Sequence, residues 1–386
     1  MSIIYLKLLF VYLLPYLILS SHIDIEFHHE TFNDSHPDAE TFGRHLVTED
    51  EIEITLSDYD RLMVQLCIGK NNQCLRAKLT SSSPYVWVVN KEVFEQGYNP
   101  SESGAVDTGK TLSIAELYGY VKGPIYQDTV KIGKYKVDHF SFLVTNTKEF
   151  KYGEYQGAIG FGYLYDNNEF SFLDKLHESL EIDNQRFYVK YTGEKKGIIR
   201  LGEYPEEVVN DSYGYSFKQC DLIPTRIEND VPVPNNRWEC ALKGIYYSTF
   251  NGEIKYILTN DRVQFSLGSN INSFPAEVFS QFITQYMQKY LDSGDCYIDS
   301  MKYLDVVYCK KDFNYEQLGD INYILGKWSL KFEAKDLFSV LNDKLRFGIY
   351  GHKGKKFFLL GYYLFKKYIV VFDKYRKKMG MYLKNE

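Results

Sequence analysis

After its first 21 residues this chain has no apolar run near the roughly eighteen residues that a membrane span requires, so its body is expected to be soluble. It has no surplus of positive charge either: 45 Lys and Arg stand against 51 Asp and Glu, a net charge of -6. That balance leaves no electrostatic footprint for nucleic acid or an anionic membrane. The basic C-terminal stretch KKYIVVFDKYRKK does not change this, because its apolar residues alternate as on a strand with one solvated face. Helical periodicity is scarce, confined to FSFLDKLHESL and AEVFSQFITQYMQKYL, which argues against a doubly wound α/β sheet. Basic residues are almost missing from 22–52, where Arg44 stands alone. His28, His29 and His36 in that segment have no cysteine near them and read as part of a polar lead-in; no metal and no cofactor is expected.

What is present begins with MSIIYLKLLFVYLLPYLILSS. Lys7 precedes the apolar run Leu8 to Leu19, and small Ser20 and Ser21 follow, the pattern of a secretory signal peptide over residues 1–21. Residues 22–52 form an acidic lead-in or short pro-segment without periodicity. Six cysteines in a secreted chain favour three disulfides over metal or redox chemistry. Sequence does not choose among the fifteen connectivities that six cysteines allow. The sequential set, Cys67 with Cys74, Cys220 with Cys240 and Cys296 with Cys309, is the working expectation. Asn33 and Asn210 each open an NDS sequon and are candidate glycosylation sites in that compartment.

With 45% hydrophobic and 17% aromatic residues the chain has ample material for one large or two ordinary domains. Short alternating runs punctuated by Gly, Asn and Asp (RLMVQLCIG, QCLRAKL, YVWVV, IYQDTVKIG, KVDHFSFLV, RFYVKY, GIIRLG) predict many short strands. Two similar halves, each mostly strands with a late helix, suggest two β lobes, 53–208 and 209–386.

One stretch, GAVDTGKT from Gly104 to Thr111, fits both the G-x-x-x-x-G-K-T phosphate-binding pattern and a D-T-G triplet. A phosphate loop needs a buried strand before it and a helix after it, because phosphate sits on that helix's N-terminus. Here GYNPSES precedes it, and TLSIAELYGYVKG, with two glycines, reads as a strand entering a hairpin. A nucleotide-binding reading is therefore rejected.

The order of patterns along the chain resembles that of the pepsin-like aspartic proteases. RLMVQLCIGKNNQCLRAKL resembles their opening hairpin, and TSSSPYVWVV (80–89) their D-T-G-S-S-x-x-L-W-V segment. SIAELYGYVKGPIYQDTVKIG resembles the flap hairpin and the strand beyond it, and YQGAIGFGY (155–163) the D-G-I-L-G-L-G stretch. RFYVKYTGEKKGIIRLGEY, RWECALKGI, VQFSLGSNINSFPAEVFSQF (263–282) and FFLLGYYLFKKYIVVFDKYRKKMGMYL (357–383) follow in the family's order. The resemblance covers about residues 55–384 and implies an all-β, bilobal fold with a few short helices and a central cleft for a peptide or protein ligand.

Carried across residue by residue, the first catalytic aspartate falls on Thr80 and the second on Ser266. The threonine that follows each aspartate becomes Ser81 and Leu267, so the mutual hydroxyl bonds that brace the two loops are not expected to be symmetric. The first triplet's glycine is Ser82, whereas Gly268 is kept. Ser83, Trp87, Gly268 and Tyr118 are the residues that the resemblance places along cleft and flap, with Glu116 the other candidate for the flap tyrosine's position. Trp87 and Trp238 read as core aromatics in any case, and Tyr118 is weak in a chain holding 35 tyrosines. Asp107 lies eleven residues before Tyr118, too close to the flap for the catalytic position, and reads as a turn residue with Gly109.

Two carboxylates sharing one proton give an aspartic protease its base and its acid; hydroxyls do not ionise in that range. No His or Lys in KLTSSSPY or QFSLGSN is placed to activate a nucleophilic hydroxyl, since Lys78 sits on a strand two residues before Thr80. No catalytic residue is therefore expected. The chain reads as a secreted or endolysosomal monomeric homologue without activity, with no nucleotide or nucleic-acid partner. The rival readings are an active protease that uses Asp107 or Asp261, and an inhibitor or structural pair of lobes with a filled cleft.

Overall fold

The computed structural model describes residues 23–384 except 31–60, 117–118, 134, 148–154, 164–168, 192–195, 211–216, 229–230, 250 and 270. The expected signal peptide, Asn33 and Tyr118 lie outside the described residues. Strands dominate, as the alternation requires. Among the described residues they form one thirteen-stranded sheet, one eleven-stranded sheet and a two-stranded ribbon. The fold is all-β and bilobal, with short helices at Phe172–Glu178 and Ala276–Asp292 where helical periodicity is found.

The strand Arg61–Ile68 shows how the sequence pattern becomes packing. Leu62, Val64, Leu66 and Ile68 enter the main core, while Met63 turns to the other face and joins Trp87, Val89, Ile114, Val121 and Leu143 in a second cluster. Side chains on a strand alternate between faces, so a strand apolar on both sides, such as Trp87–Val89, is covered on both.

Two findings depart from the sequence reading. Ile23–Glu30, within the segment read as unstructured, is a strand paired antiparallel to Lys196–Leu201 and to Arg61–Ile68. The alternation of Ile23, Ile25 and Phe27 with Asp24, Glu26 and His28 is its sequence signal. The C-terminal strand Tyr368–Asp373 has no solvated face: all six residues are buried, between Arg186–Tyr191 and Lys378–Leu383. It lies inside the sheet that the N-terminal strands build, so this sheet is completed by chain from both halves.

The three disulfides pair as Cys67–Cys74, Cys220–Cys240 and Cys296–Cys309, the sequential set. The first and third join residues that face each other in register on antiparallel strands. The second ties Phe217–Asp221 of the thirteen-stranded sheet to Glu239–Ser248 of the other. It closes a loop across two sheets, so removing it with Cys220→Ser and Cys240→Ser is expected to cost about 2–4 kcal/mol, read as a lower urea midpoint at unchanged slope.

Candidate functional site

One arrangement occurs twice. In the first half, Gln73–Thr80 runs parallel to Gly157–Gly160 and delivers Thr80, Ser81 and Ser82 at its end. In the second, Ile254–Phe265 runs parallel to Phe358–Leu360 and delivers Ser266, Leu267 and Gly268. Both loops lie tight on the neighbouring strand because a glycine there lacks a side chain. A Cβ on Gly162 would stand 2.4 Å from the Ser83 carbonyl carbon, and one on Gly361 2.4 Å from the Ser269 carbonyl oxygen. No real Cβ tolerates such distances, so these glycines let the loops reach the junction of the halves.

At that junction the two triplets meet crosswise. The Ser82 hydroxyl lies 2.9 Å from the Ser266 hydroxyl, and Thr80 Oγ1 lies 3.2 Å from where a Cβ on Gly268 would stand. The first residue of each triplet thus faces the third residue of the other. Thr80 and Ser266 are buried at 6% and 3% exposure, whereas Ser82 is exposed. The Ser82 amide donates to Thr80 Oγ1 at 3.1 Å, and Gln264 Nε2 donates to Ser82 Oγ at 3.3 Å.

The brace between the loops is one-sided. Ser81 Oγ donates to the Phe265 carbonyl at 2.9 Å and accepts from the Leu267 amide at 2.9 Å. Leu267 has no hydroxyl with which to return these bonds. One buried serine therefore carries both contacts, each worth about 1 kcal/mol.

Behind this floor Trp238 donates from Nε1 to the Phe161 carbonyl at 2.7 Å, while its own carbonyl accepts from the Phe265 amide at 2.9 Å. Trp87 is fully buried against Tyr155 at 6.0 Å, and Lys78 Nζ lies over both rings at 5.8 and 5.1 Å. Lys78 is thus engaged with aromatic faces. Ser83 fixes its own turn, its hydroxyl accepting from the Tyr85 amide at 3.3 Å and its carbonyl from Gly162 at 2.9 Å.

The spare carboxylates stand elsewhere. Asp107 is not in a loop: it lies in Val106–Glu116, the first strand of the hairpin with Gly119–Ile132, at an irregularity before Thr111. Its Oδ1 accepts from the Gly109 amide at 2.8 Å, Gly109 having a φ of 70°, and Lys110 pairs with Glu169 at 3.7 Å. The stretch that imitates a phosphate loop is a hairpin strand. Glu116 faces Gly119 in that hairpin's register. Asp261 shares its strand face with Val263 and Phe265, so strand geometry turns it away from the face that carries Arg262 and Gln264. Asn210 is exposed at the end of the short helix Glu206–Val209.

Sequence reasoning missed the contact of Ser82 with Ser266 and the part played by Gln264. The signal for Gln264 was a polar residue alternating with Val263 and Phe265 in an otherwise apolar strand.

No curated protein matches this chain. A model of the eukaryotic aspartyl protease family matches residues 62–382, from the first strand of the opening hairpin to the last strand of the shared sheet. With most of its length covered and both floor loops inside the match, the chain belongs to the eukaryotic aspartyl protease family.

Proposed function

We propose that this protein is a secreted, catalytically inactive aspartyl protease homologue that holds a peptide or protein segment between its lobes. The observation that carries the reading is the pair of hydroxyls at 2.9 Å, Ser82 against Ser266, beside a buried Thr80, where the family's chemistry needs two carboxylates. Every hydrogen-bonding partner of these hydroxyls among the described residues is an amide or another hydroxyl. Such a set can orient a backbone but cannot take a proton from water and return it. The fold's peptide-binding geometry would outlast that loss, because it depends on strands and loops rather than on the two carboxylates.

The localisation belongs to the same proposal. A signal-like stretch over 1–21, three disulfides and sequons at Asn33 and Asn210 fit the secretory route, and no helix among the described residues is long and apolar enough to cross a membrane. The two lobes, 53–208 and 209–386, would act as a monomer without a cofactor.

The test is cleavage of denatured protein at acid pH by the purified chain, with and without a statine-type peptide inhibitor. No cleavage above the buffer control is expected. Inhibitor-sensitive cleavage by the natural chain would overturn the proposal.

A further inference from the structure

A stretch of apolar β edge stands open on the second half. The strand Ile254–Phe265 pairs with Glu239–Ser248 on one side, but on the other it meets Phe358–Leu360 only at Val263, Gln264 and Phe265. Among the described residues no strand pairs with the rest of that edge. Its outer face is apolar: Ile254, Tyr256 and Leu258 are 54%, 61% and 83% exposed, and the Tyr256 ring lies 5.8 Å from that of Tyr246 on the neighbouring strand. Ile257 points the other way into the core, which fixes the strand in this orientation.

An open edge is a row of unpaired amides and carbonyls, and folded proteins usually blunt it with charge, proline or a bulge. Two end strands of the sheets show such blunting. Val106–Glu116 is broken by the irregularity between Asp107 and Thr111, and Trp328–Phe332 carries Lys331, paired with Asp320. Ile254–Leu258 has no proline and no charge on its outer face, and the irregularity of its pairing lies beyond Leu258. Its one charge, Lys255, turns to the other face and pairs with Glu253.

The occupant that fits this edge is a second copy of it. Laid antiparallel about a two-fold axis through Tyr256, the edge meets itself with Ile254 opposite Leu258 and Tyr256 opposite Tyr256, so every exposed apolar residue gains an apolar neighbour. Moving the axis one residue either way opposes like charges, Lys255 with Lys255 or Glu253 with Asp261. We propose that Ile254–Leu258 joins two copies of the chain by antiparallel pairing centred on Tyr256, continuing the eleven-stranded sheet of one into that of the other. So short an edge buries less than a standard interface of about 1,600 Å², so pairs form in the micromolar range or above, and the single chain expected from the sequence is the form at lower concentration. Pairing is independent of ligand binding: Ser266 follows the far end of the strand, so each copy keeps its own floor.

The experiment is sedimentation equilibrium of the purified full chain at low salt, through the micromolar range. The natural chain is expected to rise from single-chain mass towards twice that mass. Ile254→Lys with Leu258→Glu should still pair, because each new cation faces a new carboxylate across the axis. Ile254→Lys with Leu258→Lys sets like charges there instead and should raise the dissociation constant at least about tenfold. Both variants alter exposed side chains alone, and an unchanged urea midpoint checks that the fold is kept. Single-chain mass for the natural protein at every concentration overturns the pairing and leaves the edge to a strand of some other protein. Equal association of the two double variants, whether kept or lost, overturns it as well, because the proposed register is the one that sets Ile254 against Leu258.

Discussion

Aspartates placed at 80 and 266, with Ser82 cut back to glycine, are expected to raise acid-pH cleavage of denatured protein by at least about 10³-fold over the natural chain. Two carboxylates at the junction cannot both ionise, so they share a proton and supply base and acid together. Position 80 is already furnished for this, because the Ser82 amide points at Thr80 Oγ1 from 3.1 Å and would do the same for a carboxylate. Position 266 is not, because the Ser82 hydroxyl stands 2.9 Å from Ser266 Oγ, where a larger side chain must go. Hence Thr80→Asp and Ser266→Asp without Ser82→Gly should gain far less. Gly268 needs no change, having only 3.2 Å to spare before Thr80 Oγ1. Activity should fall as pH rises above the pair's second ionisation, since the shared proton is then lost. The control is the same variant with Asn for Asp, matched in shape but unable to ionise. A folded Asp variant that stays as inert as its Asn twin would mean that Thr80 and Ser266 do not stand at dyad positions.

Much of this was readable from residue order. Alternation located the strands, the helical period found both helices with a recognisable apolar face, and the order of motifs led past the conspicuous DTG at Asp107 to the two loops that do meet. The disulfides followed sequence order because two of the three join strands that are neighbours in the chain. What the residues did not disclose depends on register between distant segments. Tyr368–Asp373 reads as a half-solvated strand until Arg186–Tyr191 and Lys378–Leu383 cover it. Ser82 and Ser266 are separated by 184 residues, and their contact exists only because two loops are pressed together by strands from different halves. Arg237, Arg262 and Lys355 come from three separate segments; each alone reads as a solvated charge, and only the fold gathers them around the Phe357 ring.

The same dependence on distant contacts makes Trp238 the residue whose loss should cost most in stability. It is fully buried, with ring centres of Tyr163, Phe372 and Phe187 at 5.4, 5.1 and 5.9 Å, and it donates to the Phe161 carbonyl. Trp238→Ala removes a large packed ring and leaves a buried carbonyl without its donor. The expected loss is about 4–5 kcal/mol, a large share of the stability of an ordinary domain. Trp238→Phe keeps much of the packing and gives up chiefly the hydrogen bond, so it should cost about 1–3 kcal/mol. Because Phe161 and Phe187 come from the first half of the chain and Trp238 from the second, the loss should appear as a shift of the whole urea transition. The effect should also reach the floor, since the Trp238 carbonyl holds the Phe265 amide and the Phe265 carbonyl accepts from Ser81. In the Asp-bearing variant described above, Trp238→Phe should therefore lower kcat more than it raises KM. It loosens the strand that carries one carboxylate and leaves the ligand's own contacts in place. A normal kcat in that background, or a loss under about 2 kcal/mol for Trp238→Ala, would show that the two loops are held by the Ser81 brace alone.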